Sequence, residues 1–125
     1  MTHPAESEST YAQAMRRDGG ACAYCKKDVL ASFDAFAGSC LDHLKPKAAN
    51  GPDDDPFNRV IACAVCNALK GSWDPIPTGI ANSQTFEACV AAARERIEGK
   101  RQGRIENSLY RDYQHWLIRL GRAGG

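Results

Sequence analysis

"LDHLKPKAANGPDDDPFNRVIACAVCNALKG", residues 41–71, is the stretch on which the fold of this chain turns. It holds an Asp-His pair (Asp42, His43), an Asn at 58, Cys63-x-x-Cys66, and Asn67 directly after the second cysteine. "SCLDH" (39–43) and "NRVIAC" (58–63) are rich in apolar residues and bounded by turn formers, which predicts two short strands. Between them "KPKAANGPDDDPF" (45–57) is a loop, too polar and too broken by Pro and Gly to be regular. After Cys63 the period becomes helical. Val65, Ala68 and Leu69 share one face and Asn67 and Lys70 the other, and Gly71 ends the turn.

Upstream, "CAYC" (22–25) supplies a second Cys-x-x-Cys. Two residues between cysteines let both sulfurs face one point, ~2.3 Å from a shared metal, and two such pairs give the closed thiolate set of structural zinc. The 37 residues between Cys25 and Cys63 exceed the ~15–20 of a compact zinc ribbon. The rival readings are two pairs of core cysteines and a redox dithiol, the latter needing one pair in a βαβ context, which this pattern lacks. Cys22, Cys25, Cys63 and Cys66 are therefore the predicted zinc ligands. Cys40 and Cys89 stand apart as small buried hydrophobes.

Working outward, 125 residues predict one domain with a modest core. Residues 1–8 read as disordered and 9–125 as a single domain, with a motif core at 17–74 and a helical extension at 82–120. No apolar run approaches the ~20 residues that span a bilayer, and "MTHPAESEST" lacks the apolar core of a secretory signal. A cytoplasmic, reducing location is the expectation, and there six cysteines are metal ligands or thiols rather than a disulfide framework. A first helix is predicted over 10–18, capped by Ser9 or Thr10 and stopped by Gly19-Gly20. Two further helices follow the loop "WDPIPTGIANS" (73–83). In one, capped by Asn82 or Ser83, Phe86, Val90, Ala93 and Ile97 form the apolar stripe. In the other, Ile105, Leu109, Tyr113, Trp116, Leu117 and Leu120 do so. Both stripes are expected to pack on the domain. Net charge is +1, yet residues 86–125 carry eight Lys/Arg against five acids, a basic portion suited to phosphate contacts or to a solvated face.

Asp42, His43, Asn58 and Asn67 read together as the parts of one candidate active site. Asp42 offers a carboxylate for Mg²⁺ or Mn²⁺, hard cations that take oxygen ligands, and the Asn67 amide oxygen offers a second. His43 can accept a proton from water, and Asn58 can fix the loop that carries it. Lys45, Lys47 and Lys70 are candidate phosphate contacts. Adjacent residues of a regular strand face opposite ways, so a shared site predicts irregular backbone at 42–44. The "DDD" at 53–55 reads as a solvent-facing loop tip.

In order and spacing, "CAYC … LDHLKP … FNRVIACAVCNALKG" resembles the HNH endonuclease family, in its branch with two Cys-x-x-Cys pairs. The resemblance implies an α+β fold: a small ββα-metal core with a four-cysteine zinc site and added N- and C-terminal helices. It implies His43 as general base, Asp42 and Asn67 as ligands of one catalytic Mg²⁺ or Mn²⁺, and Asn58 as the residue fixing the His43 loop. With Asn67 at the last position the chain is an H-N-N variant. The implied substrate is nucleic acid, double-stranded DNA foremost. A zinc-stabilised module that binds nucleic acid or protein without cutting is the alternative. It leaves the joint presence of Asp42, His43, Asn58 and Asn67 unexplained.

Overall fold

The computed structural model describes residues 9–75 and 85–122. The expectation for residues 1–8, and most of that for the 73–83 loop, lie outside them.

Helix α1 (Thr10–Asp18) starts where Ser9 Oγ accepts a hydrogen bond from Ala12 N (3.1 Å) and stops at Gly19, whose φ of 66° needs no Cβ. It buries Ala14 and packs on the sheet. Its last turn latches there. Arg17 donates to Arg59 O (2.6 Å) and to Pro56 O, and Asp18 Oδ2 accepts from Ile61 N (2.9 Å).

A short helix α2 (Phe33–Ala37) precedes the first strand, with Ser32 as its cap. The expected strands are β1 (Cys40–His43) and β2 (Arg59–Ala62), an antiparallel pair in the register Asp42 to Val60 and His43 to Arg59. Helix α3 (Ala64–Lys70) follows, with Cys63 as its N-cap. Beyond the loop come α4 (Phe86–Arg101) and α5 (Ser108–Arg119). Thr85 caps α4, its side chain accepting from Ala88 N. The residues expected to cap it, Asn82 and Ser83, lie outside the described set.

The core lies between the sheet, the first cysteine loop, α3 and α4. Tyr24, Val29, Leu44, Val60, Ile61, Leu69 and Ile97 are buried there, each side chain of this size contributing about 1.5–3 kcal/mol by leaving water. The α4 stripe packs as expected, burying Val90, Ala93 and Ile97. Arg94 staples α4 to the cysteine loop through Tyr24 O (2.6 Å) and Ala23 O (3.1 Å), and Lys100 Nζ reaches Leu69 O (2.7 Å).

Three expectations need correction. The backbone at 42–44 is not irregular: the ladder runs through His43, and Leu44 N still donates to Asn58 O (2.8 Å). The chain turns only afterwards, at Pro46 and the 3₁₀ turn Lys47–Ala49. On α3 the buried face is Cys66, Leu69 and Lys70, whereas Val65, Asn67 and Ala68 are exposed. Cys66 decides that rotation, since its sulfur must turn inward to the cluster. Finally, α5 buries no residue at all.

No helix among the described residues is long and apolar enough to cross a membrane.

Candidate active site and metal centre

The four cysteines converge. The Sγ atoms of Cys22, Cys25, Cys63 and Cys66 lie within 4.8 Å of one another, and Cys25 and Cys63 are 3.7 Å apart. Four sulfurs held ~2.3 Å from one ion stand about 3.8 Å apart on a tetrahedron's edge, so the spacing fits a metal between them. The first loop is shaped by Cys22 N donating to Lys27 O (2.8 Å), Lys26 N to Cys22 O (2.9 Å), and the left-handed Lys26 (φ 70°). Ala23 N donates to Ile61 O (2.8 Å), tying this loop to β2. The Cys66 thiol hydrogen-bonds onto Cys22 and holds it down to about 4, while Cys66 is pushed up. Arg101 Nη2 donates to Cys66 Sγ (3.2 Å), which sets a cation beside the cluster. Nothing local in the sequence marks Arg101 for that place, because it comes from α4.

Asp42 lies on the inward face of β1, its side chain 11 % exposed. Tyr24 Oη donates to its Oδ2 (2.8 Å), and Lys70 Nζ lies 3.8 Å from the same oxygen. Burial pushes the Asp42 pKa up, against the pull of Lys70, the Tyr24 hydroxyl and His43. Burial likewise pulls Lys70 down. Both partners shift toward their neutral forms, so desolvation outweighs their attraction and the pair costs stability. A cluster kept at such a cost is a candidate for function. Lys70 is 1 % exposed and donates to His43 O (2.9 Å). It therefore holds the end of β1 from inside rather than meeting solvent beside Asn67.

His43 leaves the other face of the strand. Its Nε2 is 2.6 Å from Asp53 Oδ1, and this bond, with Lys47, lowers the Asp53 pKa. Asp53 is thus not a mere solvent-facing carboxylate, although Asp55 does serve only the loop, capping Phe57 N (2.9 Å). A 10-residue separation hid the His43–Asp53 pair from the sequence reading. So did the contact of Tyr24, hidden inside "CAYC", with Asp42.

Asn58 is buried, and it binds the loop after His43 at three points. Its Oδ1 accepts from Lys45 N (2.8 Å), and its Nδ2 donates to Lys45 O and Pro52 O (3.1 Å each). Gly51 closes this clamp. A Cβ there would stand 1.8 Å from Lys45 O and 2.9 Å from Asn58 Nδ2. Gly51→Ala is expected to displace the loop and destabilise the domain by roughly 1–3 kcal/mol, the range for overpacking a buried site. A melting temperature equal to wild type would contradict the clamp.

Asn67 is exposed in the middle of α3, and its side-chain amide makes no hydrogen bond among the described residues. Lys45 Nζ pairs with Asp74 Oδ2 (2.8 Å), while Lys47 stays open to solvent, 3.8 Å from Asp53. At the end of β1, His43, Asp53 and Lys47 thus lie on one face and Asp42 on the other, Asn58 clamps the loop that follows, and Asn67 stands on the exposed face of α3.

Residues 22–72 match the family model described as HNH endonuclease. The matched segment contains the strand pair, α3 and the cysteine cluster, and its similarity to that family is confined to these residues. A curated relative, the CRISPR-associated endonuclease Cas9 of Corynebacterium diphtheriae, is 29 % identical over 93 residues, 74 % of this chain. The match spans only 8 % of that protein's length. No solved structure matches the chain significantly.

Proposed function

We propose that this domain hydrolyses phosphodiester bonds of double-stranded DNA, with His43 as general base and one divalent cation held by Asp42 and Asn67, on a fold stapled by zinc. The observation that carries the reading is the end of β1, where two oriented polar groups diverge. His43 leaves one face, bonded to Asp53, and Asp42 leaves the other, bonded to Tyr24.

A shared irregular turn is not needed for this chemistry. In-line displacement places the attacking water and the leaving oxygen on opposite sides of phosphorus. A base and a cation site that diverge from one strand end suit a phosphate lying across it. With Nε2–H donating to Asp53, the Nδ1 lone pair is the acceptor for the water proton. Asp53 holds that tautomer and steadies the charge that forms on the ring. Asn58 fixes the loop carrying Lys45, Lys47 and Asp53, and Lys47 is the open cation for a phosphate oxygen. Asp42 and Asn67 supply oxygen donors of the kind Mg²⁺ and Mn²⁺ prefer. The bound ion would neutralise charge on the phosphate and leaving oxygen. Four thiolates of the cluster match zinc in number and softness.

Asp42→Ala and Asn67→Ala are expected to raise the Mg²⁺ concentration needed for half-maximal nicking of supercoiled plasmid by 10-fold or more, about 1.4 kcal/mol of binding. An unchanged Mg²⁺ requirement in both variants would remove them from the cation site.

A further inference from the structure

Helix α5 carries an apolar row that the rest of the described chain leaves uncovered. Leu109, Tyr113, Trp116 and Leu120 are all half exposed or more, Trp116 at 57 %. Their spacing of four, three and four residues puts them on one helix face, the a/d rhythm of a coiled-coil seam. The domain meets α5 through the partly buried Tyr110 and Leu117, and Leu109 and Tyr113 border a groove shared with Val65, Leu69 and Arg101, yet half or more of each seam side chain stays exposed among the described residues. Together the four side chains expose on the order of 500 Å² of mainly apolar surface, at the upper end of what a monomer shows.

From this row we infer that the domain self-associates, two copies packing α5 against α5 in antiparallel orientation about a two-fold axis. Three observations select a second copy running that way. The four–three–four spacing is the same read from either end, so an antiparallel mate puts Leu109 on the mate's Leu120 and Tyr113 on its Trp116. Charge agrees. Asp112 and Arg119 flank the seam on the side away from the domain, both exposed, and neither forms an ion pair among the described residues. In an antiparallel pair each faces the other across the interface, twice by symmetry. A parallel pair would set Asp112 against Leu117 instead. Area agrees as well. Two such faces bury about 1,000 Å², where specific interfaces begin. The expected dimer is accordingly a reversible one.

Sedimentation velocity on the zinc-loaded protein under reducing conditions tests this, over roughly 1 to 100 μM, the range in which an interface of this size associates. The expected result is a monomer–dimer equilibrium. Trp116→Lys should abolish it, with circular dichroism unchanged and the melt shifted by at most a few degrees, because more than half of the side chain is exposed; Leu109→Lys is the second variant should the first fold poorly. Asp112→Arg alone should weaken association about 10-fold, and Asp112→Arg combined with Arg119→Asp should restore it. A monomer at every concentration would overturn the inference. So would a dimer indifferent to both seam variants, or charge variants that associate like wild type.

Discussion

Stripping the metal from the four-cysteine cluster is expected to unfold most of the domain, read as loss of far-ultraviolet circular dichroism and of a cooperative melt. The cluster joins pieces otherwise tied by a handful of hydrogen bonds, among them Ala23 N to Ile61 O and Tyr24 Oη to Asp42. Cys22 and Cys25 belong to the loop carrying Tyr24, while Cys63 and Cys66 form the junction of β2 with α3. Binding zinc to such a site contributes about 10–16 kcal/mol at neutral pH, as much as the entire ~5–15 kcal/mol stability of a typical domain. The two-stranded sheet and short α3 cannot replace it. Cys66→Ser should behave like chelation, whereas Cys40→Ser, outside the cluster, should shift the melt by only a few degrees. The pH dependence has a definite sign. Cys66 and its neighbours must lose protons to bind, so zinc affinity rises as pH rises, and acid releases the metal. A chelated protein that melts like the untreated one would show that the thiols are not holding the fold.

His43→Ala is expected to lower the nicking rate by about 10²–10⁴, the usual contribution of a positioned general base. Its fold should be intact, because the strand is held by backbone bonds that the substitution leaves alone: the His43–Arg59 pairing, and His43 O with Lys70 Nζ. Asp53→Ala should cost less, roughly 10-fold, the lower end for a group that orients another residue. Asp53 is half exposed, so water replaces part of what it does. The order of the two losses is the informative result. If Asp53→Ala costs more than His43→Ala, the carboxylate has a role of its own, such as metal binding, and the orienting role assigned to it fails.

The sequence made the ββα unit legible because its signals are local. Turn formers bound each strand, Gly71 closes α3, and the cysteine spacing names the cluster. Asn58 was legible for a similar reason, lying where the second strand opens opposite the His43 loop. What escaped is what tertiary packing decides. Lys70 looked like a surface residue by helical period, but Cys66 sets the rotation of α3 and carries Lys70 inward. Phe33–Ala37 is a helix of five residues, too short for periodicity, although Ser32 and Gly38 bracket it with a cap and a stop. The α5 stripe was read correctly as amphipathic and wrongly as packed on its own domain. Periodicity shows that a face is apolar, not what covers it. Asp53, one of three consecutive aspartates, became distinct only when the loop placed it 2.6 Å from His43.

The most direct test is nicking of supercoiled plasmid by zinc-loaded protein, with Mg²⁺ or Mn²⁺ added or withheld and His43→Ala run beside wild type at matched folding. The account predicts divalent-metal-dependent conversion to open circles by wild type and loss of that conversion in the variant. Nicking that survives His43→Ala unchanged, or a folded, metal-replete wild type that binds DNA without cutting it, would contradict the account.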